Sequence, residues 1–187
     1  MKPLGKAYKD AEANMGGGFQ KLPAGGYVCI ITEIEDKQKE ERLEIIYDVA
    51  EGPYKGYYSD DFGKKNPFTH KFIKSYKETA LGFFKGFLTA IDKSNGTDFS
   101  TKAEGGLQEQ QLVGKLVGLV IGYEEYDTRD DGNFKQRSYV SEVRSIETIR
   151  SGDFKVPELR KTKELEGKLK SAPVDGFSPL TDDDIPF

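Results

Sequence analysis

The chain has one cysteine, one histidine and no tryptophan among 187 residues, and each shortage removes a class of function. The lone Cys29 excludes an internal disulfide and agrees with a reducing compartment. With only His70 beside it, no soft metal cluster can be assembled. Cys29 falls within a β-branched run and reads as a small core residue rather than a nucleophile. His70, in Pro67-Phe68-Thr69-His70-Lys71, reads as a surface loop residue. No apolar run is long enough to span a membrane, and no signal-peptide core opens the chain, so a cytoplasmic protein is expected. Asn95-Gly96-Thr97 fits a glycosylation sequon, which without secretion is only a turn.

Patterned chemistry is also scarce. Gly114-Lys115 has Gln110 four residues before it and Leu116 after it, so the phosphate-loop pattern fails. Asp127, Asp131 and Gly132 suggest a calcium loop, but Arg129 takes a ligand position and Ser138 replaces the closing glutamate. The many carboxylates form no catalytic pattern. The expectation is a non-enzyme with no cofactor and no metal.

Charge is present but segregated. Of 32 acidic and 28 basic residues, four aspartates fall in residues 171–187, which contain no lysine or arginine. The tail therefore carries the whole formal net charge of −4, and the body is balanced. A balanced body can still hold a basic groove, because binding needs local clustering rather than total charge.

Along the chain, residues 1–22 read as a flexible arm with at most a short helix at Leu4–Asn14, ending at the turn Pro23-Ala24-Gly25-Gly26. Tyr27–Ile34 is dense in β-branched residues and predicts a strand. The charged run Asp36–Glu41 reads as a loop. In Arg42–Ala50, Leu43, Ile45, Tyr47 and Val49 alternate with Arg42, Glu44, Ile46 and Asp48, the period of a half-buried strand. After Glu51-Gly52-Pro53, Tyr54–Phe62 predicts a third strand. Ser75–Lys93 repeats apolar residues at spacings of three and four, with Ser75 and Glu78 as a capping box and Asn95-Gly96 as the stop. Phe83, Phe84 and Phe87 are assigned to its core face. Phe99–Gln111 is weakly patterned and includes a loop. Leu112–Tyr126 predicts a fourth strand whose Gly114, Gly118 and Gly122 suggest bends or bulges. Asp130-Asp131-Gly132-Asn133 is a hairpin turn, and Phe134–Ile149 a fifth strand. Beyond Gly152 the chain becomes charged, with a short helix read at Glu158–Lys170.

Strand, strand, strand, helix, strand, strand is the order of a five-stranded OB barrel. The fold class expected is thus all-β, in the β-rich α+β sense: an OB-fold body over residues 23–152, an arm over 1–22, a charged extension over 153–170 and an acidic tail over 171–187. An open sheet with one covering helix has the same order.

Two stretches mix cations with aromatic rings, the combination that follows phosphates and stacks bases at about 1–3 kcal/mol per base. Phe62–Lys77 has five lysines and no acid, and supplies Phe62, Lys64, Lys65, Phe68, Lys71, Phe72, Lys74 and Tyr76. The second flanks the hairpin turn with Tyr123, Tyr126, Arg129, Phe134, Lys135, Arg137 and Tyr139. Both would lie on loops and strand ends at a barrel rim, where OB folds take oligonucleotides. Aromatics on short antiparallel strands are otherwise core or cross-strand pairs.

The chain closes on Leu180-Thr181-Asp182-Asp183-Asp184-Ile185-Pro186-Phe187, an order with no helical or strand period. A terminal apolar ring behind an acidic lead suits a basic pocket on a partner. Asp182-Asp183-Asp184-Ile185-Pro186-Phe187 resembles the C-terminal tip of bacterial and phage single-stranded-DNA-binding proteins, in which the tip recruits replication and repair enzymes. The body over roughly residues 20–150 also resembles a family of phage and prophage replication or recombination proteins assigned as single-stranded-DNA binders. That match lies in Gly26-Tyr27-Val28, Tyr47-Asp48-Val49-Ala50-Glu51-Gly52, Tyr54-Lys55-Gly56-Tyr57 and Phe84-Lys85-Gly86-Phe87. The resemblance implies a protein of the bacterial host's cytoplasm that coats and protects single-stranded DNA in phage replication or recombination. Its partners would be the DNA, enzymes bound through Asp182–Phe187 and a further copy of itself, with no membrane. A protein-interaction adaptor on an OB-like body is the rival reading. The arm, the inter-strand segments and the tail linker differ in length from the bacterial housekeeping type, which leaves the oligomeric state open.

Overall fold

A computed structural model of the chain describes residues 21–59, 66–127 and 134–161. Five antiparallel strands form one sheet: β1 (Gly25–Lys37), β2 (Arg42–Val49), β3 (Lys71–Ser75), β4 (Leu116–Asp127) and β5 (Phe134–Arg144), in the order β3-β2-β1-β4-β5. Among the described residues three α-helices accompany them: α1 (Leu81–Asn95), α2 (Phe99–Lys102) and α3 (Ile146–Ser151). Among the described residues no helix is long and apolar enough to cross a membrane.

The alternation of β2 is realised: Leu43, Ile45, Tyr47 and Val49 are all buried. Strand β1 changes face part-way, because a bulge between Ile31 and Glu33 moves the inward parity from Cys29 and Ile31 to Ile34. An extra residue also bends and twists the strand, which lets β1 pair with β2 over Cys29–Lys37 and with β4 over Gly25–Ile30. The main core gathers these residues with Phe72, Phe87, Leu88, Ile91, Leu112, Val117, Leu119 and Ile121.

Helix α1 lies over one end of this core with Phe87, Leu88, Ala90 and Ile91 buried. It stops at Gly96, whose φ of 66° is left-handed, a conformation glycine reaches without strain. Asn95 ties that end to the sheet. Its Nδ2 donates to the Leu116 carbonyl at 2.8 Å, and its Oδ1 accepts from Leu116 N at 2.9 Å. The sequon asparagine is therefore engaged in joining helix to strand.

Several boundaries depart from the sequence reading. Tyr54–Phe62 is not a strand over its described residues: bends and turns run from Glu51 to Tyr58, and the third strand is Lys71–Ser75. Asp48 is the reason. Its carboxylate is buried and accepts from Val49 N, Tyr58 N and the Ser59 hydroxyl, which folds residues 49–59 back on the sheet. Ser75 caps no helix, since it ends β3 and a 3-10 turn over Glu78–Ala80 precedes α1. Phe83 is 80% exposed rather than in the core. His70 is buried, stacked on Tyr58 with centroids 4.5 Å apart. The loop read at Asp36–Glu41 shrinks to a 3-10 turn at Gln38–Glu40. Strand β4 starts at Leu116, after a 3-10 turn at Glu109–Leu112, and β5 ends at Arg144, where Ser145 caps α3 by accepting from Thr148 N. Residues 158–161 are not helical. The helix read at Leu4–Asn14, and the rest of that read at Glu158–Lys170, lie outside the described residues.

The three glycines read as bends in the fourth strand have two distinct uses, and Gly114 precedes β4 itself. Gly114 holds a turn with φ of 79°, as expected of a bend. Gly118 and Gly122 instead permit close approach. A Cβ at Gly118 would sit 2.5 Å from Ile149 Cγ1 and 2.8 Å from the Ser145 carbonyl oxygen. This contact seats α3 on the outer face of the sheet, where Ile146 and Ile149 form a second small core with Val28 and Val120. Gly118→Ala is expected to lower unfolding free energy by about 1–3 kcal/mol, because backbone oxygen cannot move aside as a side chain can. Gly86→Ala, on an open stretch of α1 with nothing within 4 Å, should raise it by about 0.5–1 kcal/mol. Urea titration of both variants checks the pair.

Candidate nucleic-acid interface

The register of β4 against β5 decides which hairpin residues share a surface. Tyr126 is opposite Lys135, Glu124 opposite Arg137 and Gly122 opposite Tyr139. Directly paired residues project to the same face of an antiparallel ladder. Tyr126, Lys135, Arg137 and Tyr139 therefore share one face, the outer one, with Glu124 between them. Tyr123, opposite Ser138, belongs to the inner face. Its hydroxyl donates to the Leu22 carbonyl, and burial, then Tyr57 and Tyr27, push it up to about 12.

The outer face gains a residue that the sequence reading omits. After α3 the chain runs back along the sheet: the Phe154 ring covers Gly26, and Pro157 lies against Gly122. Arg160 then bridges in parallel to the edge of β4, donating its N–H to the Tyr123 carbonyl at 3.0 Å and accepting from Glu125 N at 2.9 Å. That edge is open because β1 begins at Gly25, opposite Ile121. The Arg160 guanidinium stands 3.9 Å from the Tyr139 ring centroid. Only the extended bias of a residue before proline, at Val156-Pro157, hints at this segment in the sequence.

Lys135, Arg137 and Arg160 thus share this face with Glu124, and Glu142, Glu158 and Lys155 line the groove beside Tyr139 and Arg160. Arg137 Nε donates to Glu124 at 2.6 Å, and its guanidinium lies 5.6 Å from the Tyr126 ring while 65% exposed. Lys135 is exposed. An exposed cation–π contact contributes about 0.5–1 kcal/mol, and a stacked base about 1–3 kcal/mol. A base can therefore replace Arg160 on Tyr139 and leave the guanidinium free for a phosphate.

The first cation–aromatic stretch is divided by the fold. Phe68 and Lys71 line a shallow groove on the outer face of β1–β3 with Glu33, Glu35 and Glu44. Phe68 is 68% exposed there. Phe72 is in the core, in contact with Tyr47 and Phe87, and has no ring face for a base. Lys74 lies near the Phe72 ring, and burial lowers its pKa. Tyr76 donates its hydroxyl to Asp36 at 2.7 Å, at the far end of the sheet from the hairpin turn. Phe72, Lys74 and Tyr76 are not gathered with the hairpin set, whereas the turn that holds Phe68 touches β5, where the Ser138 hydroxyl donates to the Thr69 carbonyl at 3.1 Å. Phe62, Lys64, Lys65 and Arg129 lie outside the described residues, as does the side chain of Phe134, which opens β5. The tip Asp182, Asp183, Asp184, Ile185, Pro186 and Phe187 also lies outside them.

Among the described residues no group of three His, Cys, Asp or Glu side chains could hold a metal ion. Burial, then Asp48, raises the Cys29 thiol well above its ordinary value. No protein-family model matches the chain, and no curated protein matches it significantly.

The β2–β3 outer face supplies a pH test of this electrostatic picture. Glu44 accepts from Lys71 Nζ at 2.7 Å and from Arg42 at 2.9 Å. The Lys71 hydrogen bond leads, burial works against it and Arg42 adds to it, with the net result that the carboxyl titrates below its usual range. A depressed folded pKa stabilises the protein above the unfolded glutamate value of about 4.3, and that contribution is lost as pH falls through the folded pKa. Glu44→Gln should therefore be less stable than the parent at neutral pH. Denaturation midpoints of the two should converge as acid is added; a difference independent of pH would contradict the assignment.

Proposed function

We propose that this chain is a single-stranded-DNA-binding protein whose DNA surface is the outer face of the β4–β5 hairpin. The observation that carries the reading is the convergence of Tyr126, Lys135, Arg137 and Tyr139 with Arg160 from a separate segment. Two aromatic rings and an excess of cations on one exposed ladder are what a strand without sequence preference needs: cations for phosphates and π-faces for bases.

The fold proposed for the body is a closed OB barrel. Strand β1 pairs on both sides, and the sheet's two edges approach through Ser138, whose hydroxyl donates to the Thr69 carbonyl at 3.1 Å just before β3. Closure between β3 and β5 would give a barrel with α1 over one end, and would remove the exposed edges that invite aggregation. The role proposed is coating and protecting single-stranded DNA in phage replication or recombination, in the cytoplasm of a bacterial host. Partner enzymes would be recruited through Asp182–Phe187. The acidic tip and the matching body segments support this, beside the hairpin surface.

Fluorescence titration with oligo-dT, against a duplex of equal length, tests the reading. The single strand should bind more tightly, and log affinity should fall linearly with log salt. Replacing Lys135, Arg137 and Arg160 together by Glu should weaken binding by at least about tenfold, since each lost phosphate contact also flattens the salt slope by about one. Equal or absent binding to both DNAs, or a triple variant that binds like the parent, would favour an adaptor that binds protein instead.

A further inference from the structure

Strand β5 carries a bulge where it leaves the hairpin. Ile121 pairs with Val140 and Val120 with Glu142, so Ser141 is an extra residue with no partner on β4. Val140 and Val143 pack on the main core, and Val120 belongs to the small core on the outer face. The extra residue therefore places Ser141 and Glu142, neighbours in sequence, on the same outer side as Tyr139. The segment after α3 walls that side with Lys155, Pro157, Glu158, Leu159 and Arg160. Between strand and segment lies a pocket of about 340 Å³. Small-molecule sites occupy about 300–1,000 Å³.

A surface that follows a phosphate backbone alone has no use for carboxylates, which repel it. Glu142 and Glu158 nevertheless line this pocket together with Tyr139. Glu142 is held by Arg144, whose Nε donates to Oε2 at 2.8 Å, and Glu158 is exposed. Lys135 and Arg137 lie further along β5, toward the hairpin turn. Phosphates led past those two cations leave the carboxylates to face whatever is stacked on Tyr139. An ionised carboxylate accepts hydrogen bonds and donates none, so it favours a base edge that donates. The exocyclic amine of cytosine is such an edge, and glutamate is among the side chains that read it; thymine presents the acceptor O4 at that position. The larger groove beside α1 has an aliphatic lining from Leu43, Leu88 and Leu107 and offers no comparable ring beside a cation.

We propose that this pocket takes one base bearing an exocyclic amine, stacked on Tyr139 in place of the Arg160 guanidinium. The amine donates to the carboxylates of Glu142 and Glu158. Ser141 and Lys155 are the donors in the lining for the ring's own acceptors, N3 and O2 of a cytosine. The inference rests on the DNA-binding reading and deepens it. Stacking on Tyr126 and Tyr139 tolerates any base, and the pocket adds a preference at one nucleotide of the bound strand. Preferences of single-strand binders otherwise follow stacking strength and backbone flexibility. A preference that follows one ring substituent is therefore the mark of this pocket.

Fluorescence titrations of the full chain with oligo-dC and oligo-dU of equal length, at neutral pH and one salt concentration, test the proposal. The two bases differ only at C4 and N3, so the ring offered for stacking has the same size. Oligo-dC should bind about five- to tenfold more tightly. Glu142→Gln together with Glu158→Gln should bring the two affinities together, with the loss falling on oligo-dC and the parent's circular dichroism kept. Tyr139→Ala should weaken both oligomers and remove the difference between them. Equal affinities in the parent, or an oligo-dC preference that survives the double variant, would overturn the proposal. Equal affinities that still fall when Lys135, Arg137 and Arg160 are replaced by Glu would leave the DNA surface standing. Binding of neither oligomer would remove both readings.

Discussion

The outer surface of this molecule depends on an approach that only missing side chains allow. At Gly26, Gly118 and Gly122 a Cβ would lie within 3.0 Å of Phe154, Ile149 and Tyr139 respectively. Those three absences let the chain after β5 lie flat on β1 and β4. From that contact come the small core under α3, the path of residues 153–161 and the placement of Arg160 over Tyr139. Interiors are packed too tightly for a methyl group to be added without displacing something. The position of a surface arginine is thus set by glycines buried beneath it.

The same topology separates two chemistries. All five strands are antiparallel, so the start of β1, the end of β4 and the start of β5 meet at one end, while the β1–β2 turn and α1 occupy the other. Tyr126, Lys135, Arg137, Tyr139 and Arg160 gather at the first end. The second carries both signs around apolar side chains, with the ion pairs Lys37–Glu35, Arg42–Glu40 and Lys102–Asp98.

How much of this can be read in the sequence depends on which physical signal each element leaves. The alternation in Arg42–Val49 is written in side chains that face the core, so both strand and face are legible. The hairpin is legible too, since Asp130-Asp131-Gly132-Asn133 separates two β-rich runs whose pairing then fixes which residues share a face. Tyr54, Tyr57 and Tyr58 mislead because aromatic residues favour strands, yet here they are drawn inward by hydrogen bonds to Asp48 and by packing on Tyr27 and Tyr47. No local pattern announces a buried aspartate with three donors. Lys71–Ser75 is hidden for the opposite reason, as an edge strand carrying lysines between apolar positions. Arg160 leaves almost no trace, because its role arises from an edge left open far earlier in the chain, where pairing with β1 ends at Ile121. Glycines spaced four apart in β4 are visible, but whether they bend a strand or admit a neighbour is a tertiary fact.

The central claim is that single-stranded DNA lies across the β4–β5 hairpin, stacked on Tyr126 and Tyr139. Ultraviolet cross-linking of oligo-dT to the full chain, followed by mass mapping of the modified peptides, tests it most directly. The account predicts adducts on Tyr126 and Tyr139, diminished by unlabelled single strand and not by duplex. Adducts confined to Phe68 on the β1–β3 face, or to the groove beside α1, would contradict it.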